Sequence, residues 1–170
     1  MSASSLVLPG ASREHVVRVA DWAVERDGVL VTLGLGSCVA IMLHDPAIGL
    51  GAMAHVLLPS KSLSRDRSNP AKFPETAVPF LLQRIVALGG VRKRLVAKLA
   101  GGASMFAQLM TPGTIQMGER NTVAARDALH AAAVPLVGQA VGGEQGRSVR
   151  FHVADGRVES HTVGGDDFVF

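Results

Sequence analysis

Cys38 is the sole cysteine of the chain, and it closes the glycine-punctuated stretch Leu33-Gly-Leu-Gly-Ser-Cys38. One thiol excludes an internal disulfide, a CxxC redox pair and a zinc site built on cysteines. Two roles are left: inert core residue, the commoner fate of a lone cysteine in an apolar stretch, or nucleophile. Gly34, Gly36 and Ser37 bear on the second. Glycines let the backbone turn tightly and leave amide N–H groups unshielded, and such amides bind an anion or the oxyanion of an attacked carbonyl. By itself a Gly-x-Gly is most often a plain turn, and this one lacks the spacing of a dinucleotide fingerprint or a P-loop. His55 lies inside the apolar run Ala52-Met-Ala-His-Val-Leu-Leu58, where both ring nitrogens need partners away from bulk water. Taken alone it reads more readily as a hydrogen-bonded core residue than as a catalyst.

Geometry couples the two. Apolar strands over 39–43 and 52–58 are joined by Asp45-Pro46-Ala47-Ile48-Gly49. A hairpin centred between Pro46 and Ala47 sets Cys38 directly opposite His55. Opposed residues project from one face with Cβ atoms roughly 4.5–5.5 Å apart, a range at which an imidazole takes the thiol proton and leaves the nucleophilic thiolate. A third group would orient the ring. Asp45 sits at the far end of that hairpin from Cys38 and is a poor candidate. Thr32 ends the preceding strand, and its hydroxyl accepts from a ring N–H. A threonine orients without a full negative charge, so it holds an imidazolium less strongly than a carboxylate does.

The elements that must position these residues follow from pattern. Residues 15–24 and 29–32 are β-rich and separated by the turn signal Arg26-Asp27-Gly28. The near-continuous apolar character of 39–43 and 52–58 marks strands buried on both faces. Pro59 ends the pair, and 60–70 reads as a mobile loop. The spacing predicts helices over 75–88, with Pro79 early in it, and over 116–133. Further strands are expected at 94–100, 136–141, 148–153 and 157–163, with Asp155-Gly156 turning the last two into a hairpin. No βαβ repeat is visible. The expectation is one α/β domain over 1–170 with mixed, mostly antiparallel sheets and two main helices packed on them. Flexible ends are expected at 1–12 and 164–170.

Composition bounds the function. The 170 residues are 48% hydrophobic and 18% charged, with mean hydropathy +0.29, enough for one cored domain and too apolar for a disordered chain. Six Phe, Trp22 and no Tyr argue against an aromatic nucleic-acid platform. The formal charge is +3, but nine bases against two acids between Lys61 and Lys98 leave the rest of the chain net acidic. Such a block suits an acidic partner, although a solvated face is the commoner explanation. No motif for nucleic acid accompanies it. Residues 1–10 lack a basic side chain and carry only a short apolar run, which is not a secretory signal. No apolar stretch approaches the roughly 18 residues that span a bilayer. A cytoplasmic protein with a reduced thiol, without membrane insertion, is expected.

Taken together, Thr32-Leu-Gly-Leu-Gly-Ser-Cys38-Val, Asp45 and Gly51-Ala-Met-Ala-His55-Val-Leu-Leu-Pro59 resemble the signature of the CheD family of chemoreceptor glutamine deamidases. Thr76-Ala77, Ala100-Gly-Gly-Ala-Ser-Met-Phe106, Gly118-Glu-Arg-Asn121, Gly142-Gly143 and Gly146-Arg-Ser148 extend the resemblance over roughly 15–163. It implies a three-layer α/β/β sandwich shared with bacterial toxin deamidases. It also implies a Cys-His-Thr site converting receptor glutamines to glutamates: Cys38 the nucleophile, His55 the base and acid, Thr32 the orienting group. Gly34, Gly36 and Ser37 then support the oxyanion. Neither metal nor organic cofactor is implied. The partners implied are the helical cytoplasmic region of a chemotaxis receptor and a CheC-type phosphatase, and methyl-ester hydrolysis is ascribed to some members. Where the family usually carries Tyr-Asp before Thr-Ala, this chain has Phe73-Pro74-Glu75. Two rival functions fit the same residues. One is a non-catalytic adaptor binding receptors or CheC through the basic 61–98 surface, with Cys38 structural. The other is a thiol hydrolase of different specificity, which would cleave backbone.

Overall fold

The computed structural model describes residues 13–170; the expected flexible end at 1–12 lies outside the described residues. In chain order the strands are β1 (Glu14–Val16), β2 (Trp22–Arg26), β3 (Val29–Leu35), β4 (Val39–Asp45), β5 (Leu50–Val56), β6 (Val96–Gly101), β7 (Leu136–Val141), β8 (Arg147–His152), β9 (Val158–Thr162) and β10 (Asp167–Val169). Two helices accompany them, α1 (Pro74–Ala87) and α2 (Met117–Ala131). The strands form two five-stranded sheets, ordered β2-β5-β4-β6-β7 and β1-β3-β8-β9-β10.

Alternation along β4 and β5 explains the layers. Val39, Ile41 and Leu43, with Leu50, Ala52, Ala54 and Val56, pack with Val78, Leu81, Ile85, Ala125 and Leu129 of the helices. Ala40, Met42 and Met53 point the other way, onto Leu30, Val149 and Phe151 of the second sheet. The first sheet is therefore covered on both faces, and all seven residues of β4 and of β5 are buried. Each large aliphatic side chain buried there stabilises the fold by about 1.5–3 kcal/mol. The result is the expected single α/β sandwich, helices over sheet over sheet.

Local sequence sets the helix bounds. α1 starts with Pro74 in its first turn, where a missing N–H costs nothing. Pro79 sits inside it and forgoes one helical hydrogen bond, on the exposed side. Phe73 is fully buried at the start of α1. In α2, Asn121, Ala125 and Leu129 recur at helical spacing and form the buried stripe.

Four features differ from the sequence reading. The β-rich run 15–24 is two strands in different sheets, with Val17–Asp21 crossing between layers. β6, α2 and β7 form a βαβ unit with β6 and β7 parallel; the long link over 102–116 hides it in the sequence. The hairpin register is shifted by two residues: Ala40, not Cys38, faces His55. The turn holds four residues, because Gly49 adopts φ +59 inside it and Asp45 Oδ1 accepts from the Ala47 amide at its start. Residues 164–170, expected as a flexible end, carry β10, paired antiparallel with β9. Phe170 packs against the inter-sheet core.

Candidate functional site

Thr32, Cys38 and His55 all face the space between the two sheets. Register places His55 beside Ala40, and Cys38 lies two positions along the same face, packed against the inter-sheet core. The thiol and the imidazole are thus diagonal rather than direct neighbours. Diagonal pairs keep Cβ atoms within about 7–8 Å, and the Cys38 thiol is not hydrogen-bonded to His55 Nε2. Thr32 reaches the same space from β3. Between Thr32 and Leu35 the pairing with β8 slips. Gly34, at φ +66, absorbs the extra residue, so both Thr32 and Leu35 turn inward.

Hydrogen bonding fixes the histidine. Thr32 Oγ1 donates to the Val17 carbonyl at 2.6 Å and lies 2.8 Å from His55 Nδ1. One hydroxyl has one hydrogen. With it spent on the carbonyl, Nδ1–H must donate to Oγ1, and Nε2 is left with the lone pair. Backbone bonds clamp the same residue: the His55 amide donates to Asp21 O at 3.0 Å and its carbonyl accepts from Ala20 N at 2.8 Å. His55 is 1% exposed, and among the described residues Nε2 has no partner. An orphaned buried nitrogen costs about 1–3 kcal/mol, which native structures seldom accept without a functional reason.

Burial also sets the protonation states. It pushes the Cys38 thiol above its ordinary value of 9.0, opposed in part by the residue's own amide. It pushes His55 below 6.5, opposed in part by the Val17 carbonyl. At neutral pH the pair is therefore thiol and neutral imidazole.

The loop before Cys38 is pinned through its carbonyls. Gly36 O accepts from Ala103 N at 2.8 Å, and Cys38 O from Gly102 N at 2.8 Å. Ser37 O accepts from Asn121 Nδ2 at 2.8 Å. The amides of Gly36 and Ser37 donate to no acceptor among the described residues and the Cys38 amide meets only its own thiol, whereas the exposed Gly34 amide donates to Ser148 Oγ at 3.3 Å. The N–H groups that no other residue takes thus lie on Gly36, Ser37 and Cys38. Met105 overhangs the loop, its Sδ 2.9 Å from where a Gly36 Cβ would stand.

Asn121 and Met105 were singled out only as parts of longer motifs. What marks Asn121 in the sequence is a polar residue on the apolar stripe of α2. Asp45 lies away from this end. It is fully buried in the β4–β5 turn, accepting from Val91 N, Ala47 N and the Arg94 guanidinium. Among the described residues, no three His, Cys, Asp or Glu side chains gather as a metal site requires.

A family model described as "CheD chemotactic sensory transduction" matches residues 57–162. A "Probable chemoreceptor glutamine deamidase CheD" from Caldanaerobacter subterraneus is 38% identical over 149 residues, covering 87% of this chain and 92% of that protein. The chain belongs to the CheD family. Proteins of the same printed name from Desulforamulus reducens and Moorella thermoacetica are 37% and 42% identical. They cover 92% and 89% of this chain, and 95% and 92% of their own lengths. The family model begins beyond His55, but a match covering 92% of the chain cannot leave out the Thr32–His55 segment. The CheD resemblance read from the motifs is therefore sustained over most of the chain. No helix among the described residues is long and apolar enough to cross a membrane.

Proposed function

We propose that this chain hydrolyses the side-chain amide of selected glutamines on chemoreceptors, giving glutamate and ammonia through a thioester on Cys38. The relatives' names supply the reaction and its substrate. The observation that carries the mechanism is the buried, unpartnered Nε2 of His55, presented by Thr32 on the face that Cys38 shares.

The thiol proton passes to Nε2 as sulfur bonds to the carboxamide carbon. The carbonyl oxygen becomes an oxyanion held by the free amides around Gly36–Cys38. Collapse breaks the C–N bond, and the imidazolium gives its proton to the departing ammonia. Water then adds to the thioester, losing a proton to Nε2. The C–S bond breaks, and the proton returns to sulfur as glutamate leaves. Because the resting pair is neutral, proton transfer accompanies attack rather than preceding it. Thr32 keeps Nε2 aimed throughout.

The substrate surface in this reading is the receptor's helical cytoplasmic region, which places the enzyme in the cytoplasm. A CheC-type phosphatase is a second partner on the strength of the family resemblance. The test is His55→Ala with a recombinant receptor cytoplasmic fragment, following ammonia release. A loss of at least about 10²-fold in kcat is expected for a general base; activity within about threefold of wild type would contradict the assignment.

A further inference from the structure

We propose that Asn121 is a positioning residue of this reaction: its side-chain amide, by holding Ser37 O, aims the oxyanion-binding N–H of Cys38. The inference rests on the thiol mechanism above and adds a group that mechanism does not contain. Asn121 is fully buried on the first turns of α2. Its Nδ2 carries two hydrogens, and both are used, one on Ser37 O at 2.8 Å and one on Leu57 O at 3.2 Å. Ser37 precedes the nucleophile, and Leu57 follows β5 two residues after His55. One nitrogen therefore bridges the two halves of the site.

The consequence for chemistry comes from peptide planarity. No peptide bond among the described residues is cis, so the C=O and N–H of one peptide unit point in opposite directions. Holding Ser37 O against α2 turns the Cys38 N–H to the opposite side, and the Ala103 bond to Gly36 O does the same for the Ser37 N–H. Neither amide is taken by another residue. Asn121 is the side chain that sets the direction of the Cys38 N–H.

Two further observations favour a functional placement over general packing. Asn121 Oδ1 is buried with no partner among the described residues, so the side chain satisfies its surroundings poorly while serving the two carbonyls. The approach of α2 is also specially built. A Cβ on Gly118 would stand 2.3 Å from Ala103 O and 2.6 Å from Gly102 O. Only glycine brings this end of α2 so close to the loop that pins Gly36 and Cys38. The residue type is equally constrained: aspartate lacks the hydrogens, and serine has only one.

The experiment compares wild type, Asn121→Ala, Asn121→Ser and Cys38→Ala as full chains. It measures kcat and KM for the receptor cytoplasmic fragment, the rate of Cys38 alkylation by iodoacetamide across pH, and Tm. Alkylation is attack at a saturated carbon and needs no oxyanion site. The expected result for Asn121→Ala is a kcat lower by about 10²–10³-fold, the size seen for lost oxyanion support. KM and the alkylation profile stay within about threefold of wild type. Asn121→Ser, which keeps one donor, gives the same split at smaller size and carries the test where alanine fails to fold. A kcat within about threefold of wild type in a folded variant overturns the proposal, as does a parallel fall in alkylation, which would mark a scaffold role. If Cys38→Ala deamidates like wild type, the thiol mechanism falls and this inference with it. If only the Asn121 variants behave like wild type, the mechanism stands and this inference alone fails.

Discussion

At the residue scale, the division of labour rests on one hydroxyl. Thr32 spends its hydrogen on Val17 O and its lone pair on His55 Nδ1–H, which a valine of nearly the same shape cannot do. Thr32→Val leaves Nδ1–H and the Val17 carbonyl unpaired, a loss of roughly 1–3 kcal/mol in orientation. The expected outcome is a kcat lower by about 10- to 100-fold, with Thr32→Ser restoring most of it. Steady-state rates on a receptor fragment check this. The depressed His55 pKa gives a second prediction. In the proposed mechanism the base works when neutral, so activity is expected above its pKa and is lost as pH falls through it. The acid limb of kcat/KM therefore lies below 6.5. Stability follows the same sign. Unfolded chain binds the proton more readily than folded chain, so His55 contributes stability above about pH 6.5 that fades as pH falls toward its folded value. Thiolate absorbance of the resting enzyme should rise with a midpoint above pH 9.0, since burial raises the Cys38 pKa.

At the element scale, the site lies where β3, the β4 entrance, the β5 exit and α2 meet, and the glycines make that meeting possible. Gly101 adopts φ +105, and a Cβ there would stand 2.2 Å from Cys38 O. Gly101→Ala is expected to cost more than about 2 kcal/mol and to displace the nucleophile's loop, so Tm and kcat fall together. Asp45 gives the contrasting case at the other end of β4. Removing it as Asp45→Ala unpairs the Val91 and Ala47 amides and frees Arg94, whose half-exposed guanidinium weakens the ion pair's worth. About 2 kcal/mol of stability should be lost, with activity per folded molecule unchanged; denaturant titration beside a rate assay separates the two. These elements were unequally visible in the sequence. Cys38, His55 and Thr32 stood out because a thiol, an imidazole and a hydroxyl on apolar strands need an explanation. Both helices and most strands followed from periodicity, but not β10 or the division of 15–24 into β1 and β2. The register did not, because nothing local says that Gly49 belongs inside the turn. The β6–α2–β7 crossover was hidden by its long link, and Asn121 by the distance in sequence between α2 and the two carbonyls it binds.

At the scale of the whole molecule, the basic segment is less uniform than its charge count implies. Arg94 is held by Asp45, Arg92 donates to Ala132 O, Lys98 to Gly156 O, and Arg84 lies over the Trp22 ring. Lys61, Arg65 and Arg67 are exposed on the loop that leaves β5 just beyond His55. Their charge stands closest in sequence to His55 and is exposed, as is that of Lys93. Replacing these three with glutamine should flatten the salt dependence of kcat/KM on a receptor fragment while leaving kcat unchanged. A salt dependence identical to wild type would show that the loop is merely solvated.

The most direct test of the central claim is site-resolved mass spectrometry of a receptor cytoplasmic fragment incubated with wild-type enzyme or with Cys38→Ala. The account predicts conversion of defined glutamines to glutamates by the wild type, with the backbone intact, and none above the spontaneous background with the variant. Undiminished conversion by Cys38→Ala, or backbone cleavage by the wild type, would contradict it.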